Sequence, residues 1–350
     1  MLSLTERRLC QLSVLFVREI AIRRAATGRI IYDASSMLFS VPVNFKNFKG
    51  DMIQLDAIYQ DTMPDGGQRA TVLALHGAPG SHADFKYLIP KLRKNAIRVI
   101  SPNFPGQGFT KGHPRLACEN VERNSFAQAV LDSVGITGSK DLYLLGHSRG
   151  GDNAVQIATS NKNLGNVRGV VMLNSAGLRE HRAMRPFWRI GITIRLLDLK
   201  IFNSMLHPLL YFVYNHMLGL KVPTGEAAAT ALRLLRSFAY DKLLPNIKII
   251  NEHPEIKFLH AYSGDDSLIE ANVSKEFAEQ FKNRVELECS LDNSLDVSVS
   301  TIEAFSEGVQ TVSVNFTNEG HFLQKFRAHF LVNVILGLVS MQSGKLKSDL

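Results

Sequence analysis

From near residue 70 the chain repeats one rhythm: a short apolar run, a glycine-rich turn, then a stretch with helical spacing. Thr71 to Leu75 ends in His76-Gly77-Ala78-Pro79-Gly80, and Arg98 to Pro102 leads into Asn103-Phe104-Pro105-Gly106-Gln107-Gly108. Leu142 to Leu145 runs into Gly146-His147-Ser148-Arg149-Gly150-Gly151, and Val167 to Asn174 forms a fourth run. Lys257 to Tyr262 and Val309 to Phe316 add two more. Runs this short and apolar read as strands buried on both faces. Helices are expected over 84–95, over 120–134, and from the 146–151 turn to about 159. Strands alternating with helices of this length need right-handed crossovers and a mostly parallel sheet, so the class is α/β. Ligands of such sheets bind at the carboxyl ends of the strands, where each of these turns sits.

Composition narrows the classes. The chain has 350 residues, 45% of them hydrophobic and 21% charged, a globular balance far from the disordered class. At that length about three quarters of the unfolded surface is buried, so a core needs neither disulfides nor metal. The three cysteines, Cys10, Cys118 and Cys289, have neither metal-ligand spacing nor a disulfide framework. A reducing, intracellular location is expected, cytoplasmic with mitochondrial as the alternative, and no metal or cofactor is called for. The net charge of +8 collects in the N-terminal segment and between Arg179 and Lys200. Aromatics are not interleaved there as on a strand-binding surface, so nucleic acid is not an expected partner. Arg7, Arg8, Arg18, Arg23, Arg24 and Arg29, with Leu9, Leu12, Phe16 and Ile20 at helical spacing, give an amphipathic basic helix. It reads as a presequence, a membrane-surface helix, or a helix packed on the main domain. No uncharged apolar run is long enough to cross a bilayer, which takes roughly 20 residues.

Gly146-x-Ser148-x-Gly150 carries the chemistry. A serine held out at a strand-to-helix turn needs a strained backbone, with small residues two positions to either side. The helix that follows turns its free N–H groups toward the serine. Acyl transfer through such a serine passes through a tetrahedral oxyanion, which two backbone N–H donors would stabilise by about 3 kcal/mol each. Arg149, just after the serine, supplies one. Ala78 supplies the other, because Pro79 has no N–H to give. His76 is expected to organise its loop rather than to react. His321, in the turn after the last strand, is the candidate base. The acid that orients it is expected just past Tyr262, where Asp265 and Asp266 both qualify and either could instead cap a helix beginning near Leu268.

On these stretches the chain resembles the α/β-hydrolase superfamily from about Val72 to the C-terminus. The resemblance rests on His76-Gly77-Ala78-Pro79-Gly80, Asn103-Phe104-Pro105-Gly106-Gln107-Gly108, Gly146-His147-Ser148-Arg149-Gly150-Gly151, Asp266-Ser267-Leu268-Ile269 and Gly320-His321. It implies a Ser148–Asp266–His321 triad, since the family's acid is usually followed by a small residue and two aliphatics, as Asp266 is and Asp265 is not. Two departures stand out. The interval from Asp266 to His321 is long, with an insertion expected over 286–308 and Asp292 as a further candidate acid. Arg149 is bulky for its position and is expected to reach toward the substrate pocket.

The resemblance also implies a helical cap where the rhythm stops. The expected organisation is an N-terminal helix and lead-in over 1–65, a hydrolase core over 66–178 and 256–350, and a cap over 179–255. Helices are expected within that cap near 190–199, 202–220 and 227–240. Its apolar and aromatic residues, among them Trp188, Phe202, Tyr211, Phe212 and Tyr214, point to an apolar ester, thioester or lipid-like substrate. A peripheral membrane contact through the N-terminal helix or the cap is a further expectation. The same triad would serve an acyltransferase or peptidase, and a binding module that kept the fold without turnover is the non-enzymatic alternative.

Overall fold

The computed structural model describes residues 29–136, 141–238, 240–290 and 294–342; the expected N-terminal helix and Asp292 lie outside them. Among the described residues the chain forms one ten-stranded sheet: β1 (Ile30–Asp33), β2 (Leu38–Lys46), β3 (Met52–Asp61), β4 (Ala70–Leu75), β5 (Ile97–Pro102), β6 (Leu142–His147), β7 (Val167–Leu173), β8 (Lys257–Ser263), β9 (Arg284–Cys289) and β10 (Thr311–Phe316). Their order across the sheet is β1-β2-β3-β5-β4-β6-β7-β8-β10-β9. The first three strands pair antiparallel, β3 joins β5 antiparallel, and every pairing from β5 to β9 is parallel.

Side-chain alternation divides the core in two. Leu73 and Leu75 of β4 and Leu142 and Leu144 of β6 pack on one face, while Val72, Ala74, Tyr143 and Leu145 pack on the other. Strands β4, β5 and β6 are buried on both faces, so β4 and β6 read as nearly continuous apolar runs rather than an alternating pattern, and in β5 the buried Arg98 is paired with Asp61 at 2.6 Å. Helix α1 (Ile89–Lys94) covers the second face. Helices α2 (Asn120–Ser133) and α3 (Arg149–Ala158) cover the first. Next come α4 (Phe187–Asp198), α5 (Lys200–Phe212) with a π-helical turn at Val213–Met217, and α6 (Gly225–Arg236). These bury a cluster of their own, including Ile190, Ile194, Leu210, Tyr214, Ala228 and Leu232. Helices α7 (Tyr240–Glu252) and α8 (Ala271–Ala278) return to the first face, and α9 (Ser294–Ser306) and α11 (Ala328–Gln342) cover the second, with the short α10 (Leu323–Phe326) following the His321 turn.

The structure differs from the sequence expectation in several places. Residues 30–61 are not a lead-in to the core but three strands of its sheet. Val41, Val43, Phe45, Ile53, Ala57 and Tyr59 are buried in the first core. The separate helical cluster ends near Arg236 rather than 255, because Leu243, Ile247 and Ile250 of α7 belong to the sheet's own core. The stretch over 286–308 is a regular strand–helix unit, with β9 pairing parallel to β10 at the sheet edge and α9 packed behind it. No helix begins near Leu268; α8 starts at Ala271. The helix expected over 84–95 is a short 3-10 turn at His82–Phe85 followed by α1.

Candidate active site

Ser148 stands between β6 and α3 with φ 52° and ψ −123°. A left-handed backbone costs a non-glycine residue on the order of 1–3 kcal/mol and persists only where its surroundings fix it. Here the Ser148 N–H donates to the Leu173 carbonyl at 2.8 Å, and its own carbonyl accepts from the Ser175 hydroxyl at 2.6 Å. The motif glycines are required by space. A Cβ on Gly146 would run into the Gly150 carbonyl, and one on Gly150 into the Leu75 carbonyl. Arg149 is the first residue of α3, where a backbone N–H has no acceptor inside the helix.

The turns after β8 and β10 bring two more of the sequence candidates together. His321 Nδ1 lies 2.7 Å from Asp266 Oδ2. Asp266 Oδ1 accepts the backbone N–H groups of Leu268 at 2.8 Å and Ile269 at 3.1 Å. Burial pushes the Asp266 carboxyl toward the neutral form, but the hydrogen bond and charge of His321 and the two N–H donors outweigh it. The net shift is below the ordinary carboxylate value. One side chain therefore both closes its own turn and faces the imidazole. Asp265 is exposed, and its backbone N–H bonds the Glu319 carbonyl at 3.1 Å. The Gly320 carbonyl accepts from Asn174 Nδ2 at 3.0 Å and from the Ser263 hydroxyl at 2.8 Å. His147 Nε2 donates to the His321 carbonyl at 2.8 Å. These contacts fix the loop that carries the imidazole.

The turn after β4 is held by buried polar groups. His76 Nδ1 donates to the Gly77 carbonyl at 2.8 Å, and its Nε2 accepts the Phe104 N–H at 3.1 Å. Both ring nitrogens are thus engaged, and burial holds the imidazole well below its ordinary pKa. A Cβ on Gly77 would lie 3.0 Å from the Ser148 Cβ, so glycine there lets Ala78 approach the serine. Arg123, which the sequence reading did not single out, ties this region together. Its guanidinium donates to the His76 carbonyl at 2.9 Å, Gln107 Oε1 at 3.1 Å and Asn153 Oδ1 at 2.9 Å, and stacks 3.5 Å from the centre of the Phe104 ring.

Arg149 borders the pocket, and its side chain is held there by fixed partners. Its Nη1 pairs with Asp152 at 2.6 Å. Nε donates to the Leu234 carbonyl and Nη2 to the Ser237 carbonyl, each at 3.2 Å. It clamps the last turn of α6, where a helix leaves carbonyls unpaired and favours positive charge. Asn174, Ser175 and Ser263 were also missed, although each sits at the carboxyl end of a parallel strand, where a site is expected.

Ser148, His321, Ala78 and Arg149 all line one cavity, with Asp266 behind His321. Its walls are mostly apolar, with Tyr214, Leu218, Leu220, Leu235 and Phe238 contributed from the helical segment between β7 and α7. Two buried histidines border it. His181 Nδ1 donates to the Leu268 carbonyl at 2.9 Å, and burial pushes its pKa down to about 4. Burial and the adjacent His321 push His147 down to about 3. Among the described residues no cluster of three or more His, Cys, Asp or Glu side chains could hold a metal ion.

Residues 36–340 match the model of a family described as "Alpha/beta hydrolase of unknown function (DUF1057)". The chain is 33% identical over 314 residues to Uncharacterized protein F35H12.5 of Caenorhabditis elegans, covering 87% of each. It is 32% identical over 97 residues to Phospholipase YtpA of Bacillus subtilis (strain 168), covering 27% of this chain and 36% of the phospholipase. The haloalkane dehalogenase DbeA from Bradyrhizobium elkani USDA94 superposes with a TM-score of 0.60 at 16% identity, over 88% of this chain and 98% of its own; at that identity the likeness speaks for the fold alone. With a sheet, a strained strand-to-helix serine and a family match across nearly its whole described length, the chain belongs to this α/β-hydrolase family.

Proposed function

We propose that the protein is a serine hydrolase that cleaves apolar carboxylic esters or thioesters through Ser148, His321 and Asp266, under a helical cap formed by the segment from about 179 to 236. The observation that carries this reading is the Asp266–His321 contact at 2.7 Å bordering the cavity into which the strained Ser148 opens. Asp266 holds the Nδ1 proton, leaving His321 Nε2 as an acceptor. The Ser148 hydroxyl gives its proton to Nε2 as Oγ bonds to the carbonyl carbon. The oxyanion is received by the backbone N–H groups of Ala78 and Arg149. Collapse of the tetrahedral intermediate breaks the bond to the leaving oxygen or sulfur, which takes the proton back from His321. Water then repeats the sequence, with His321 accepting its proton, and releases the carboxylic acid and free serine.

A serine at the elbow supports acyl transfer rather than displacement at a saturated carbon, which needs a carboxylate nucleophile. The apolar cavity walls favour acyl chains over hydrophilic esters, and a lipid ester agrees with the name of the partial relative, a phospholipase. The reading is tested with a series of 4-nitrophenyl esters of increasing acyl length. The expected result is kcat/KM rising with chain length and lost in Asp266→Asn. A preference for the shortest, most hydrophilic esters would overturn the apolar-substrate reading.

A further inference from the structure

The cap segment carries an outward apolar face that the cavity does not use. On α5, Ile201 (78% exposed), Met205 (68%), Leu209 (55%) and Phe212 (54%) recur every three to four residues, so they form one stripe. On the neighbouring α4, Trp188, Ile192 and Arg195 recur every three to four residues and are exposed, as is Leu199 just past the helix end. Single exposed apolar residues are ordinary, but two adjacent helical stripes of them are a contact surface. Its charge is one-sided. Residues 199–225 contain no Asp or Glu. Asp198 at their edge is paired with Arg233 at 3.0 Å, whereas Arg189, Arg195 and Lys221 are exposed. No helix among the described residues is long and apolar enough to cross a membrane, so any contact with lipid through this face lies at the surface.

We propose that this face of α4 and α5 docks on a membrane surface rich in anionic lipid, with the apolar stripes entering the headgroup–acyl boundary and Arg189 and Arg195 meeting lipid phosphates. A second copy of the chain is a poorer occupant, because self-pairing would set these cations against one another. The same segment forms the rim of the site. Leu218 is both exposed and part of the cavity wall, and Tyr214 and Leu220 line the cavity beside it. Docking in this orientation would bring the cavity mouth to the bilayer. Binding itself does not depend on turnover, so it stands or falls separately from the hydrolase reading.

The test is flotation of the full chain with phosphatidylcholine vesicles, with and without phosphatidylglycerol, alongside light scattering for oligomeric state. The wild type is expected to float with the anionic vesicles. The double variant Ile201→Glu/Met205→Glu should lose about ten-fold or more in partitioning, since two apolar side chains no longer leave water. Its melting curve and its turnover of a soluble short-chain ester should stay unchanged, because neither side chain lines the cavity. Arg189→Gln/Arg195→Gln should erase the preference for anionic vesicles. Three results would overturn the proposal. One is a wild type that stays with the aqueous phase. Another is an Ile201→Glu/Met205→Glu variant that floats like the wild type. The third is a dimer that this variant dissolves.

Discussion

At the scale of single residues, the carboxylate that faces His321 has a neighbour in sequence that is chemically identical. Asp265 and Asp266 follow β8 at adjacent positions, so residue type and distance along the chain leave both open, and only the family resemblance, through the two aliphatics after Ser267, favours Asp266. Burial separates them: the turn faces Asp266 inward onto His321 and leaves Asp265 exposed. Asp266→Asn preserves shape but loses the charge that holds the imidazole in its working tautomer. It should lower kcat by about 10³–10⁴-fold, whereas Asp265→Asn should stay within a few-fold of wild type. Arg123 makes the other prediction at this scale. Arg123→Met would leave the His76 carbonyl, Gln107 and Asn153 without their buried donor. The expected loss is about 3 kcal/mol or more in urea unfolding, with most of the activity recovered in whatever fraction folds.

At the scale of elements, β4, β6 and the elbow are legible because their runs are almost wholly apolar and lead into glycine-bearing turns. Elements at the sheet margins are not. The β2 strand is covered mainly on one face, so Val41, Val43 and Phe45 alternate with exposed residues, and Pro42 interrupts the pattern. Strand β9 carries Glu286 and Glu288 outward, as an edge strand does to discourage further pairing, and therefore reads as a polar insertion. Contacts between elements are also invisible in one dimension. The grip of Arg149 on the Leu234 and Ser237 carbonyls joins residues 85 and 88 positions apart. Arg149→Met keeps the backbone N–H proposed for the oxyanion but releases the end of α6. Amide exchange over 230–237 should then accelerate by about ten-fold, with β6 unchanged. Equal acceleration in both segments would mean that Arg149 supports the whole fold and not the end of α6.

For the molecule as a whole, the buried histidines set a direction for acid stability. Burial lowers the pKa of His147 to about 3, of His181 to about 4 and of His260 to about 3, against an ordinary imidazole value near 6.5. Between those values each of these rings is protonated in the unfolded chain and neutral in the folded one, which makes stability rise with pH; burial pushes Asp84 up to about 7, one proton of opposite sign against the three histidines. Tm should be nearly flat above pH 7 and fall steadily from about pH 6.5 toward pH 4. A flat Tm through that range would mean these rings are solvated in the fold. Ser148 is proposed as a nucleophile activated by His321. Fluorophosphonate labelling of the purified full chain, beside Ser148→Ala and His321→Ala, tests it. Covalent labelling of the wild type on Ser148 and none in either variant is expected, with all three proteins folded by circular dichroism. A folded wild type that takes no label, or a label that persists in Ser148→Ala, would contradict it.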